Sequence, residues 1–161
     1  MATRNARPES GKKLETTRKK SAKKSTGAGD RRMDNISKRT IMVVEDYDDT
    51  RAMVRQVLER QGYCILEALN GMEAVELARR EHPDLILMDI NLPLIDGVNA
   101  TRRIGEIEGM GDVPIVALSA YDSPELRESA LGAGCVEYLN KPINVEQLEE
   151  LTRRLLPLKR S

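Results

Sequence analysis

The sequence has little cysteine and no apolar run long enough to span a bilayer. Its two cysteines, Cys64 and Cys135, each lie in a short apolar run that is typical of a strand. Two isolated cysteines favour ordinary packing in a reducing cytoplasm over a disulfide or a cysteine metal site. Because no apolar run approaches the roughly 20 residues of a membrane helix, we predict a cytoplasmic protein with no membrane insertion.

The first 39 residues are also poor in bulky aliphatic side chains and have no aromatic ones. The aliphatic residues there are Met1, Leu14, Met33 and Ile36. Such a segment cannot bury enough apolar surface to offset the entropy of ordering it, and it lacks the apolar core of a secretory signal. We therefore predict a basic, disordered N-terminal tail over residues 1–39 and a folded domain over residues 40–158.

The formal net charge of zero hides an asymmetry between the first 40 residues and the rest of the chain. Residues 1–40 contain 13 Lys and Arg against 4 Asp and Glu, whereas residues 41–161 contain 13 against 22, which gives formal charges of +9 and −9. A basic arm can bind phosphate backbones, so one alternative is a nucleic-acid-binding protein that acts through its tail. The tail has no aromatic residue for base stacking and no DNA-reading motif, so we expect at most weak binding of nucleic acid.

Five short apolar runs predict five strands, with helical spacing after each of them. The runs are Ile41–Val44, Tyr63–Glu67, Leu85–Met88, Ile115–Leu118 and Cys135–Leu139. Ser123 before Pro124 predicts the start of the fourth helix, and Asn144 predicts the start of the fifth. Strands that alternate with helices in this way indicate an α/β fold, a doubly wound five-stranded parallel sheet flanked by five helices.

Polar side chains follow four of the five runs. Glu45 and Asp46 follow the first run, Asp89 the third, Ser119 the fourth and Lys141 the fifth. In parallel α/β sheets the functional site lies beyond the carboxyl ends of the strands, so we expect these side chains to meet. Three carboxylates repel one another unless a hard divalent cation or an ammonium group relieves the repulsion. Because Mg²⁺ prefers oxygen ligands, the set predicts a magnesium site beside a lysine.

A carboxylate in this setting can act as a nucleophile toward phosphorus and form an aspartyl phosphate. Metal and ammonium groups stabilise the charge on the phosphoryl oxygens. The hydroxyl of Ser119 can hydrogen-bond one of these oxygens, and the backbone carbonyl of Asn91 can add an oxygen ligand to the metal. The chemistry that the set supports best is therefore phosphoryl transfer.

Residues 41–161 resemble the receiver domain of two-component response regulators over their full length. The matching stretches are IMVVEDYDDTR, DLILMDINLPLIDG, PIVALSA and EYLNKP, at the usual spacing of the family. The resemblance implies a flavodoxin-like fold and a phosphoacceptor that receives its phosphoryl group from a histidine kinase or a histidine phosphotransfer protein. It also implies a module that catalyses only its own phosphorylation and dephosphorylation and is otherwise not an enzyme. Since only LLPLKRS follows Arg154, we expect a single-domain regulator that signals by contacts with an unidentified downstream protein.

The resemblance also assigns the metal ligands and the phosphoacceptor. Asp89 is implied as the phosphoacceptor and as a metal ligand, together with the acidic pair Glu45 and Asp46 and the backbone carbonyl of Asn91. The pair is Glu-Asp where the family often has Asp-Asp, so the longer Glu45 side chain can act through a water molecule.

The remaining roles that the resemblance implies concern phosphate binding and switching. Lys141 is implied as the phosphate-binding lysine, and its bond to Pro142 is expected to be cis. Ser119 and Tyr138 are implied as the switch residues, of which Tyr138 changes rotamer on activation.

A different family remains as an alternative. Residues 46–50 read DYDDT and fit the DxDxT motif of haloacid-dehalogenase-like phosphatases, in which Asp46 and Asp48 would be catalytic. That family needs further metal-binding acids after its lysine, but Glu149 and Glu150 lie inside the last predicted helix. The phosphatase interpretation also leaves the stretch DLILMDINLP without a role.

Overall fold

Five strands and five helices alternate along the part of the chain that the structure, a computed structural model, describes, residues 38–158. The elements are β1 (Thr40–Val44), α1 (Asp48–Arg60), β2 (Cys64–Ala68), α2 (Gly71–Glu81), β3 (Leu85–Asp89), α3 (Gly97–Gly105), β4 (Ile115–Ser119), α4 (Pro124–Ala133), β5 (Glu137–Asn140) and α5 (Val145–Leu155). The predicted tail lies outside the described residues, apart from its last two. Among residues 38–158, none of the helices combines the length and the apolar character needed to cross a bilayer.

The strands form one parallel sheet in the order β2-β1-β3-β4-β5. This is the strand order of flavodoxin-like folds, in which ligands bind where the order reverses, between the first and third strands. The predicted fold class is therefore confirmed. The order also places the carboxyl ends of β1 and β3 side by side at the expected position of the site.

Alternate residues of the central strands pack into two separate cores, one on each face of the sheet. Ile41 and Val43 pack with the apolar sides of α1 and α5. Met42 and Val44 pack with α2, α3 and α4 on the opposite face. All five residues of β3 and of β4 are buried, which explains why their sequences are almost continuously apolar. Both strands are thereby held rigidly up to their last residues, where the polar side chains begin.

Two predicted helix starts are confirmed by their capping bonds. Ser123 Oγ accepts a hydrogen bond from the Leu126 amide at 3.4 Å, and Asn144 Oδ1 accepts one from the Gln147 amide at 2.9 Å. These bonds satisfy amide groups that have no partner within the first turn of a helix. The starts of α4 and α5 are therefore set by residues within three positions of each other, and the sequence alone was enough to predict them.

The predicted fifth strand was wrong at both ends, since β5 covers Glu137–Asn140. Cys135 lies before the strand because its amide donates to the Ala130 carbonyl at 3.0 Å and closes the end of α4.

Of the two cysteines, Cys135 is buried as expected, but Cys64 is exposed. The expectation of simple packing therefore fails for Cys64, whose strand β2 is an edge strand of the sheet.

Candidate functional site

Three carboxylates lie together beyond the carboxyl ends of β1 and β3. Glu45 directly follows β1 and Asp89 is the last residue of β3, and both are almost fully buried, at 1% and 3% exposure. Asp46 is exposed. One carboxylate oxygen from each of the three residues lies within 4.8 Å of the others. The adjacent strand ends thus bring together the three acids that the sequence predicted would meet.

Lys141 places an ammonium group between the two buried carboxylates. Its Nζ donates to Glu45 Oε2 at 2.5 Å and to Asp89 Oδ2 at 3.0 Å. The lysine follows β5, and the peptide bond that joins it to Pro142 is cis, as predicted. Lys141 is 96 residues from Glu45 and 52 residues from Asp89 along the chain, so only tertiary structure brings this lysine to the acids.

The other oxygens of the buried carboxylates accept backbone hydrogen bonds. The Tyr47 amide donates to Glu45 Oε1 at 3.2 Å, and the Asn91 amide donates to Asp89 Oδ1 at 2.9 Å. Both donors lie two residues after their acceptors, so each carboxylate is oriented by the loop that follows its own strand. The bond to Asp89 also holds the backbone of Asn91 next to the acid cluster.

Burial and charge act on the protonation of this cluster in opposite directions. Burial raises the pKa of Glu45, and its hydrogen bond from Lys141 lowers it, with burial the larger cause. Burial lowers the pKa of Lys141, but its hydrogen bonds to Glu45 and Asp89 together outweigh burial and raise that pKa. Lys141 therefore stays protonated at neutral pH.

The donor set has the chemistry of a magnesium site. One ammonium group cannot balance three carboxylates, which leaves an excess of negative charge at the strand ends. The side-chain donors, Glu45, Asp46 and Asp89, offer only oxygen, and Mg²⁺ typically binds proteins through one or two carboxylates with waters and phosphate oxygens. The residues present therefore fit the cation that the sequence predicted.

A second group of polar contacts lies next to the acid cluster, at the carboxyl end of β4. Ser119 ends this strand and is fully buried. Its Oγ accepts from the Tyr121 amide at 3.1 Å and donates to the Tyr121 carbonyl at 3.2 Å. The Tyr138 hydroxyl donates to that same carbonyl at 2.8 Å. The two predicted switch residues thus share one backbone acceptor.

Tyr138 lies inward in this structure. Its ring is buried, at 8% exposure, and the Arg127 guanidinium carbon lies 4.9 Å from the ring centroid. Neither Arg127 nor the Tyr121 carbonyl was predicted from the sequence. Every residue carries a backbone carbonyl, so residue type does not show which one accepts a hydrogen bond. Arginine is common on exposed helix faces, so its presence there does not indicate a contact with Tyr138.

The residues of the phosphatase alternative do not form a site together. Asp48 begins α1 with its side chain 87% exposed, and it pairs with Arg51 at 2.6 Å. It does not belong to the group formed by Glu45, Asp46 and Asp89. The nucleic-acid alternative depends on the tail, which lies outside the described residues, and stays a prediction.

Comparison with known proteins identifies the same family as the motifs. The family model for the response regulator receiver domain matches residues 41–153. The polar-differentiation response regulator DivK of Brucella ovis is 35% identical over 118 residues, which cover 73% of this chain and 96% of that protein.

Solved structures agree with this assignment. The receiver domain of a sensor histidine kinase from Pseudomonas aeruginosa, crystallised with magnesium in its active site cleft, is 36% identical with a TM-score of 0.69, over 74% of this chain and 98% of that one. The receiver domain of a response regulator from Saccharomyces cerevisiae, crystallised with its histidine phosphotransfer protein, is 30% identical with a TM-score of 0.69, over 73% of this chain and 88% of that one.

The matched family is one of signalling receivers and not of enzymes that turn over an external substrate, so the phosphatase alternative loses its support. The fold, the acid cluster with its lysine and the match over residues 41–153 agree: the chain belongs to the response regulator receiver domain family.

Proposed function

We propose that this protein is a response regulator whose Asp89 accepts a phosphoryl group from a histidine kinase or a histidine phosphotransfer protein. The observation that carries the proposal is the position of Lys141, whose ammonium group bridges Asp89 and Glu45 at 3.0 and 2.5 Å inside a cluster of three carboxylates. The magnesium-bound receiver from Pseudomonas aeruginosa and the yeast receiver bound to its phosphotransfer protein support the cation and the class of donor.

In the proposed reaction an oxygen of the Asp89 carboxylate attacks the phosphorus of a phosphohistidine. The new oxygen–phosphorus bond forms as the nitrogen–phosphorus bond breaks, and the histidine leaves with its electron pair and takes up a proton. Lys141 then shifts from the carboxylate pair toward the phosphoryl oxygens, since an ammonium group binds phosphate as a mobile point charge. Hydrolysis by water reverses the modification and regenerates the carboxylate.

Asp46, Asp89 and the backbone carbonyl of Asn91 are the groups that we propose for direct contact with Mg²⁺. When bound, the cation would neutralise part of the charge on the phosphoryl oxygens. Glu45 accepts the shorter of the two Lys141 hydrogen bonds, at 2.5 Å against 3.0 Å for Asp89, which favours an indirect role for Glu45, through water. Asp46 is the exposed member of the cluster, and its carboxylate is thus open to a hydrated ion.

We propose that output passes through the surface formed by α4, β5 and α5. A phosphoryl group adds a charge of about −1.5 to −2 and three acceptor oxygens. These oxygens compete with the Tyr121 carbonyl for the Ser119 hydroxyl, and that carbonyl also holds Tyr138. A change at Ser119 would therefore reach Tyr138 on β5 through one shared backbone group.

The output proposal has its own test, amide hydrogen exchange with and without the phosphoryl mimic beryllofluoride. Changes are expected across residues 119–140. Changes confined to the loops around Asp46 and Asp89 would contradict the switch.

We also propose a cytoplasmic location, because Cys64 and Cys135 are both unpaired and free thiols suit a reducing compartment.

The central experiment treats the full chain with acetyl phosphate and Mg²⁺ and measures its intact mass. The wild type is expected to gain one phosphoryl group, and Asp89→Asn is expected to gain none. Asp112→Asn is the matched control, because it makes the same carboxylate-to-amide change at an exposed position outside the acid cluster. Modification that persists in Asp89→Asn would contradict the assignment, and turnover of a generic phosphomonoester would revive the phosphatase alternative.

A further inference from the structure

Arg51 contacts three segments around the acid cluster. The resemblance to the receiver family gave this residue no role. It lies in the first turns of α1, and its side chain is only 15% exposed. Nη1 donates to the Glu45 carbonyl at 3.0 Å, Nη2 pairs with Asp48 at 2.6 Å, and Nε pairs with Glu67 of β2 at 3.3 Å. All three nitrogens of the planar guanidinium group are therefore engaged.

The bond to the Glu45 carbonyl bears directly on Asp46. That carbonyl belongs to the peptide group between Glu45 and Asp46, and a peptide group is planar. Fixing its oxygen therefore fixes the direction in which the chain enters Asp46. On the other side of Glu45, its amide donates to the Ala68 carbonyl of β2 at 3.1 Å. The backbone before Asp46 is thus held from both sides, while the Asp46 side chain itself is exposed.

We propose that Arg51 is a positioning residue for the metal site, which holds the peptide before Asp46 so that this carboxylate points into the cluster. The proposal rests on the proposed function, because it takes Asp46 as a ligand of Mg²⁺. Glu67 and Asp48 contribute by orienting the guanidinium group, and Arg51 itself does not contact the cation or the phosphoryl group.

The loss of the Arg51 charge and the loss of its positioning of Asp46 predict opposite changes in the affinity for Mg²⁺. Arg51→Gln deletes a positive charge close to the acids, and by Coulomb's law alone the more negative cluster would bind Mg²⁺ more tightly. Loss of positioning would weaken binding, since residues that orient metal ligands typically contribute about 10- to 100-fold in affinity. The sign of the change in affinity therefore distinguishes the two effects.

Arg55 provides a matched control on the same helix. It pairs with the other carboxylate oxygen of Glu67 at 3.2 Å, and its side chain is 45% exposed. Arg55→Gln removes the same charge and an ion pair to the same acid, and the bond to the Glu45 carbonyl is untouched. Any effect shared by both variants comes from charge or from Glu67, and any effect confined to Arg51 comes from its bond to the Glu45 carbonyl or from its pair with the exposed Asp48.

The experiment is a calorimetric Mg²⁺ titration of the full chain without a phosphodonor. Arg51→Gln is expected to bind Mg²⁺ about tenfold more weakly, and Arg55→Gln within about twofold of the wild type. Arg51→Lys keeps the charge but lacks the planar fork that reaches all three acceptors, and it is expected to lose about threefold. In the metal-free proteins, amide hydrogen exchange over residues 45–47 is expected to rise in Arg51→Gln and not in Arg55→Gln.

Unchanged or tighter Mg²⁺ binding in a folded Arg51→Gln overturns the proposal. If thermal unfolding shows that this variant does not fold, Arg51→Lys decides, and wild-type affinity there overturns the proposal as well. Failure of the proposed function gives a different result: the wild type binds Mg²⁺ but gains no mass from acetyl phosphate. That result would contradict Asp89 as the phosphoacceptor and would not affect the conclusion from the Mg²⁺ titration. At saturating Mg²⁺ the phosphorylated fraction of Arg51→Gln is expected to return to the wild-type level.

Discussion

The two ends of the sheet use polar side chains in opposite ways. At the carboxyl ends of the strands, Glu45, Asp46 and Asp89 lie together and a single ammonium group contacts two of them, so negative charge is in excess. At the amino ends, the buried Tyr63 hydroxyl donates to the carbonyls of Leu156 at 2.7 Å and Thr152 at 3.3 Å.

The difference between the two ends shows which end stabilises the fold and which end carries the site. At the amino end the hydrogen bonds of the Tyr63 hydroxyl are neutral and stabilise the packing, and the charged groups Arg39 and Asp84 are paired one to one. The carboxyl end keeps a repulsive arrangement that a more stable protein would avoid, which is typical of sites where function competes with stability. Substitutions at the two ends should therefore separate the loss of chemistry from the loss of folding.

The largest effect is expected from Lys141→Met at the carboxyl end. It removes the donor that contacts both Glu45 and Asp89, and deletion of one preorganised donor of this kind typically slows a reaction by about 100- to 1,000-fold. The rate of phosphorylation by acetyl phosphate, followed by intact mass at saturating Mg²⁺, is expected to fall by about 100-fold or more. A loss of less than about threefold would mean that the lysine has only a structural role. Lys38→Met, a change of the same type at an exposed position, is the control.

The next effect concerns the acidic pair, whose members differ in burial and in bonding. Asp46→Ala is expected to weaken Mg²⁺ binding by more than about tenfold, since it removes a carboxylate ligand. Glu45→Ala is expected to cost less, because Glu45 is buried and holds the short hydrogen bond from Lys141, whereas Asp46 is exposed to a hydrated ion. Calorimetric titration of both variants measures the difference. The reverse order of affinities would show that Glu45 is the direct ligand.

A smaller effect, of a different kind, is expected at the amino end. Tyr63→Phe removes a buried hydroxyl that donates to Leu156 and Thr152, and the free energy of unfolding should fall by about 1 kcal/mol. Urea unfolding measures this loss, and phosphorylation should stay at the wild-type rate. Tyr47→Phe is the matched control, because Tyr47 is 62% exposed and its hydroxyl should contribute little to stability. A slower phosphorylation in Tyr63→Phe would break the proposed separation between the two ends.

The smallest effect is expected from removing residues 1–38. The retained chain contains all of β1 and the whole of the family match. The midpoint of thermal unfolding and the phosphorylated fraction are therefore expected to be unchanged. A markedly lower midpoint, measured by circular dichroism, would show that the tail is part of the folded domain.

Local signals in the sequence predicted most of the fold and the acid cluster, but they failed where a backbone hydrogen bond or the strand order decides the outcome. Ser123 and Asn144 cap their helices through bonds to amides three residues away, so both helix starts were visible in the sequence. The start of β5 was misplaced because the amide of Cys135 closes α4. Cys64 was expected to pack inside, and only the strand order shows that β2 is an edge.

The sequence by itself determined the alternation of strands and helices and the identity of the polar residues at the strand ends. Those follow from the spacing of apolar residues and from chain order, because parallel strands present their carboxyl ends at one edge. The tertiary structure decided how the side chains share partners: Lys141 between two acids, Arg51 on the Glu45 carbonyl and Tyr138 on the Tyr121 carbonyl. Two of these acceptors are backbone oxygens, which every residue carries, so residue type holds no information about them until the chain is folded.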